Sequence, residues 1–203
     1  MRPSSAVSLL LLVLSVLAGA GVSVLLLATG APPPIVALPV ATGFVIGLFL
    51  ASSVKVVAAW EKMIVLRLGR FQSVADPGLR LLVPVIDTAI FVEMRVQTAP
   101  IAQQQAITQD NVPVVVNGVI FFKVVDAEAA ALRVQDYRSA IWRLAQATLR
   151  DVAGRLSLDE LLSHQVRLES EIAKNIEAQA RTWGLQVDGI KLEDISVPEE
   201  LKK

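Results

Sequence analysis

Ser163-His164 and Asp159-Glu160 are the residue pairs whose types could run hydrolysis, either as a hydroxyl beside an imidazole base or as two carboxyl groups in acid and base roles. His164 is the only histidine, and the chain has no cysteine, which excludes disulfides, thiolate metal sites, a cysteine nucleophile and S-acylation. No nucleophile motif accompanies the serine: the chain contains no G-x-S-x-G, P-loop, G-x-G-x-x-G or H-E-x-x-H. Ser157-Leu158-Asp159-Glu160 reads instead as a capping box, which gives Glu160 a structural task, and His164 follows as a solvated surface side chain. The residues therefore point to no catalytic group, no metal and no cofactor. A hydrolase built on Ser157, Ser163 and His164 is the distant alternative.

A second chemistry is electrostatic. Lys55, Lys62, Arg67 and Arg70 follow directly on a long apolar stretch, and such cations attract anionic lipid headgroups at ~1 kcal/mol each. Trp60 stands among them, either as an amphipathic ring at headgroup level or as the beginning of the first strand. Over the whole chain bases and acids balance, 19 against 19, and they alternate through the body, which removes the electrostatic footprint of a nucleic-acid binder.

The element that positions these cations is the stretch from Pro3 to Val54, which holds no Asp, Glu, Lys, Arg or His. A bilayer crossing takes roughly 20 apolar residues, so there is room for two. The segments run about 6–29 and 35–54, joined by a turn carrying Pro32, Pro33 and Pro34. The second contains Gly43 and Gly47, a G-x-x-x-G pair suited to helix packing. Arg2 and the cations from Lys55 onward place both ends in the cytoplasm by the positive-inside bias, with the proline turn outside. A rival reading makes residues 1–20 a cleaved signal peptide, against which the apolar run continues through Ala28.

Beyond the anchor, Lys62–Leu68 reads as a strand and Phe71–Gly78 as a loop ending in Asp76-Pro77-Gly78. Leu79–Val85 is apolar and closes at Pro84. Ile90, Val92, Met94 and Val96 alternate as one buried face of a strand, and Ile101–Thr108 forms another, with Gln103-Gln104-Gln105 as a solvated edge. Val114–Val125 is apolar on both parities, the pattern of a central strand covered on both sides by helices. Asp136 caps a helix running to Gly154, the capping box starts a second with Leu156 and Leu161 as its staple, and a third spans about Val166–Thr182 before Gly184. The closing strand shifts its inward parity at Asp188-Gly189 and at Glu193-Asp194, which predicts two bulges. Pro198-Glu199-Glu200 then reads as the first turn of another helix.

Several segments of this body, in order, resemble the stomatin or slipin branch of the SPFH (band-7, prohibitin-homology) superfamily. They are Trp60-Glu61-Lys62 into Arg67-Leu68-Gly69-Arg70, Pro77-Gly78-Leu79 through Pro84-Val85-Ile86-Asp87, Thr108-Gln109-Asp110-Asn111, Asp136-Tyr137-Arg138-Ser139-Ala140 through Leu149-Arg150, Leu158 to Ser163, and Trp183-Gly184-Leu185. The resemblance implies an α+β protein: a helical membrane pair at 1–57, an SPFH domain of mixed or antiparallel sheet with packed helices at 58–198, and the start of a C-terminal helix at 199–203. It also implies a non-enzymatic scaffold that self-assembles with membrane lipids and organises microdomains. Relatives further modulate a membrane protease, a channel or a small membrane protein, and a regulatory subunit of that kind is the alternative function. The expected location is the plasma (inner) membrane, multi-pass, with the SPFH domain cytoplasmic. Three features depart from the pattern. The anchor is long enough to cross twice, lipid-accepting cysteines are missing, and the sequence stops at Lys203, where the family's coiled-coil helix normally continues beyond residue 201 and a homo-oligomeric wall depends on it, so the expectation is a chain truncated ahead of that helix.

Overall fold

The computed structural model describes residues 4–30 and 32–196. Arg2 and the helix start expected at Pro198-Glu199-Glu200 lie outside them. The chain forms two compact units, Met1–Phe91 and Val92–Lys203.

In the first unit, α1 (Ser4–Ala28) and α2 (Pro33–Ser53) make a hairpin of uncharged helices. Both are long and apolar enough to cross a membrane. Gly30, at φ 76°, takes the left-handed turn after α1, and Pro32 N-caps α2 in an extended conformation. The helices meet along small residues. A Cβ on Gly19 would lie 2.5 Å from the Pro39 carbonyl oxygen, and the Ser23 hydroxyl donates to the Val36 carbonyl at 2.7 Å.

Five strands follow: β1 (Val54–Val57), β2 (Glu61–Arg67), β3 (Arg70–Ala75), β4 (Gly78–Leu81) and β5 (Asp87–Glu93). β1 pairs antiparallel with β4, and a second sheet has the order β3-β2-β5. Residues 71–75, expected as loop, are strand instead. Leu68 and Gly69 both take positive φ, 49° and 79°, so a two-residue turn folds β3 back on β2 with Arg67 opposite Arg70. The alternation expected through Val96 also breaks early. β5 ends at Glu93 and Val96 is exposed. Val57, Met63, Val65, Ala75 and Leu82 form the core here, with Ala89 and Phe91 against it.

In the second unit, β6 (Gln97–Ile107), β7 (Pro113–Val124) and β8 (Leu185–Ser196) form an antiparallel sheet with β7 central. The β7 residues Val114, Val116, Ile120, Phe122 and Val124 are buried. Helix α4 (Tyr137–Arg155) packs on β6 and β7, α6 (Gln165–Ala180) packs on β8, and the two helices touch each other. Ile141, Ala145 and Leu149 from α4 and Leu168, Ile172 and Ile176 from α6 complete this core. Cover on both faces was the expectation for β7, but the parity carrying Val115, Asn117, Val119, Phe121 and Lys123 is only half-buried, and its Asn and Lys suit that position.

Local signals set the helix ends. Asp126 accepts from Ala129 to cap the short α3 (Ala127–Leu132), and Asp136 accepts from the amides of Arg138 and Ser139 at the start of α4. Ser157 and Glu160 form the expected capping box of α5 (Leu158–Ser163). Both expected bulges are present: Phe121 and Phe122 face Gly189 and Val187, leaving Asp188 out, and Asn117 and Gly118 face Asp194 and Leu192, leaving Glu193 out.

Candidate membrane interface

The last residue of α2 is Ser53 and the first of β1 is Val54, so the second apolar helix runs into the sheet with no linker. The Leu82 amide donates to the Ser53 carbonyl at 2.8 Å, which ties the segment after β4 to the helix end. β4 is exposed along its whole length, and the register sets Leu81 opposite Val54, Arg80 opposite Lys55 and Leu79 opposite Val56. Leu81 is 75% exposed and Leu79 59%. Val85, β-branched yet at φ 74°, is fully exposed, and Val83 and Ile86 beside it are also exposed. An apolar strand and loop thus lie uncovered at the end of an apolar helix.

Asp87 holds that loop in shape. Its side chain is only 2% exposed and makes a bidentate pair with the Arg67 guanidinium, Nε to Oδ1 at 2.8 Å and an η nitrogen to Oδ2 at 3.0 Å. Oδ2 also accepts from the Val83 amide at 2.9 Å, and the Leu68 amide donates to the Ile86 carbonyl at 2.9 Å. The hydrogen bond from Arg67, then that from the Val83 amide, hold the Asp87 carboxyl down to about 2, and Asp87 raises the Arg67 guanidinium in turn.

The cations expected to meet headgroups are sorted by this geometry. Arg67 is matched by Asp87, and Lys62 Nζ lies 3.7 Å from an Asp76 carboxylate oxygen. Lys55 and Arg70 have no ion-pair partner among the described residues. Trp60 stands in the turn between β1 and β2, outside the strand, with its side chain 47% exposed. Pro32 precedes α2, while Pro33 and Pro34 open it. A Cβ on Gly43 would come 2.7 Å from the Ser15 carbonyl oxygen, and one on Gly47 2.0 Å from the Ser15 hydroxyl, so both glycines, like Gly19, sit at close approaches between α1 and α2. Arg80, Leu79, Leu81 and Val85 were not singled out from sequence. The signal for them was the Leu-Arg-Leu alternation between Gly78 and Pro84.

The residues weighed for hydrolysis are not brought together. The Ser163 hydroxyl donates to Asp159 at 3.4 Å, Ser157 is engaged with Glu160, and His164 is an exposed residue at the α5–α6 junction beside an open groove lined by Leu162, Val166, Arg167 and Lys174. Among the described residues no cluster of His, Asp or Glu could hold a metal ion.

Comparison with known proteins adds the lineage. Residues 55–203 match the SPFH domain / Band 7 family. A stomatin homolog of Pyrococcus horikoshii is 37% identical over 156 residues, covering 77% of this chain and 59% of that protein. Stomatin-like protein 3 of Mus musculus is 32% identical over 151 residues, covering 73% and 53%, and mitochondrial stomatin-like protein 2 of Bos taurus is 33% identical over 144 residues, covering 70% and 40%. The chain spans about three fifths of the length of the Pyrococcus stomatin homologs it matches. With two apolar helices ahead of a body of antiparallel sheets and packed helices, the chain belongs to the SPFH domain / Band 7 family and is stomatin-like.

Proposed function

We propose that the chain is a non-enzymatic membrane scaffold. Residues 1–57 anchor it by two crossings, with Pro32-Pro33-Pro34 outside, and residues 58–198 form a cytoplasmic body held at the inner face of the plasma membrane. The body self-assembles and organises lipids or neighbouring membrane proteins. The observation that carries this reading is the junction: α2 passes into β1 without a linker in a family whose curated relatives are named for stomatin, so the sheet that begins with β1 cannot stand away from the end of the anchor. Exposed Leu79, Leu81 and Val85 at the same end add support, since uncovered apolar surface of that kind marks a partner or a membrane.

The absence of cysteine makes topology directly measurable. A Thr29→Cys variant in intact cells is expected to react with a membrane-impermeant maleimide, and a Ser163→Cys variant only after permeabilisation. The opposite pattern would overturn the cytoplasmic assignment. Native mass measurement after gentle detergent extraction is expected to return a homo-oligomer, and a strictly monomeric species at high concentration would refute the scaffold.

A further inference from the structure

The pair Lys55 and Arg80 is left unexplained by the fold. The two residues stand directly opposite each other in the β1–β4 ladder, and a register position places both side chains on the same face. Like charges facing across a two-stranded sheet repel, and no ion pair among the described residues offsets them. Arg80 donates through Nε to the Asp76 backbone carbonyl at 3.4 Å, which leaves its terminal nitrogens available, and neither cation has a carboxylate partner among the described residues. Arg67 and Lys62 differ, since Asp87 meets the first and Asp76 the second, and Arg70, likewise without an ion-pair partner among the described residues, stands at the start of β3 and not in this ladder. The uncompensated pair also has a definite address. Lys55 is two residues beyond the end of α2, and the apolar Leu79 and Leu81 flank Arg80 on an exposed strand.

We infer that Lys55 and Arg80 share the phosphate of an anionic lipid headgroup in the leaflet where α2 emerges. A phosphate diester between the two side chains turns their mutual repulsion into two charge-assisted contacts. Leu79 and Leu81, on the alternate positions of the strand, then face the acyl region beneath the headgroup. The site rests on the anchored reading given above, and it adds to that reading a lipid class and the residues that select it.

The test uses the full chain in nanodiscs of mixed phosphatidylcholine and phosphatidylglycerol, with the lipids retained by the protein counted by native mass spectrometry. The unaltered chain is expected to enrich phosphatidylglycerol. Lys55→Gln and Arg80→Gln should each lower that enrichment about fivefold, the worth of one cation at an anionic surface. Arg80→Lys should retain most of it, which separates charge from local folding, and Lys62→Gln should change it less than about twofold because Asp76 already meets that charge. Equal losses for Lys62→Gln and Arg80→Gln would overturn the site in favour of a diffuse positive surface. Displacement of the preference by inorganic phosphate would overturn the lipid assignment in favour of a soluble anion. Resistance to alkaline extraction reads the anchor separately. A protein that is released would refute the anchor, and a retained protein with no headgroup preference would refute the site alone.

Discussion

Substitutions at the two hairpin glycines should separate by what each new methyl group meets. At Gly43 the added Cβ would lie 2.7 Å from the Ser15 carbonyl oxygen, a backbone atom that moves only if α1 moves. At Gly47 it would lie 2.0 Å from the Ser15 hydroxyl, a side-chain tip that can rotate away, with the next atoms, Ser15 Cβ and Leu12 Cα, at 3.2 and 3.3 Å. Rotation forfeits the Ser15 hydroxyl bond to the Leu12 carbonyl, 2.8 Å long, at a net cost of ~0.5–1.5 kcal/mol. Overpacking against backbone costs about 1–3 kcal/mol, so Gly43→Ala should be the more damaging change. Any gain in helix propensity from replacing Gly by Ala is common to both sites and cancels in the comparison. Ser15→Ala removes the clashing hydroxyl and should restore most of the loss in Gly47→Ala, a coupling of ~0.5–1.5 kcal/mol, while its effect on Gly43→Ala stays within about 0.5 kcal/mol of additive. The assay is SDS titration in mixed micelles, followed by excimer emission from pyrene on Ser8→Cys and Ser52→Cys at the open end of the hairpin. Rescue of both glycine variants alike by Ser15→Ala would refute the packing argument, as would a greater loss at Gly47 than at Gly43.

Acid should weaken the body in a defined window. Asp87 is held down to about 2 from 3.8, chiefly by the Arg67 hydrogen bond. Asp110 is lowered by the Thr108 hydroxyl first, Asp136 by Ser139, and Glu160 by the Ser157 amide. A depressed folded value means that the stabilisation is complete above the unfolded value near pH 4 and disappears as pH falls toward about 2, so the thermal midpoint should decline across that interval and Asp87→Asn should shrink the decline. A midpoint that is flat there, or that rises on acidification, would contradict the assigned contacts. Ser157→Ala should cost about 1 kcal/mol, seen as a lower thermal midpoint with unchanged membrane retention; an unchanged midpoint would mean that the capping box contributes nothing to α5.

What the sequence revealed and what it concealed divide by the distance over which each feature is decided. The caps at Asp136 and Ser157 and the two bulges of β8 were legible because each depends on residues a few positions apart: an oxygen ahead of the first helical turn, or a change of inward parity within one strand. The β2–β3 hairpin was not, because its turn uses Leu68 at positive φ rather than the Asn-Gly or Asp-Gly that announces such a turn, and the conformation is imposed by the pairing on either side. The membrane cations show the same division more sharply. Lys55, Lys62, Arg67 and Arg70 are equivalent as a run of positive charge after an apolar segment, and composition gives no ground for ranking them. Strand register ranks them. It brings Asp87 onto Arg67 and Asp76 near Lys62, and it sets Lys55 against Arg80, a residue that sequence proximity never placed in the group. Repulsion at a position where α2 has just ended is therefore a product of folding, and it is the fold, with Asp87 and Asp76 already engaged by Arg67 and Lys62, that leaves this facing pair open to an anion from outside the chain.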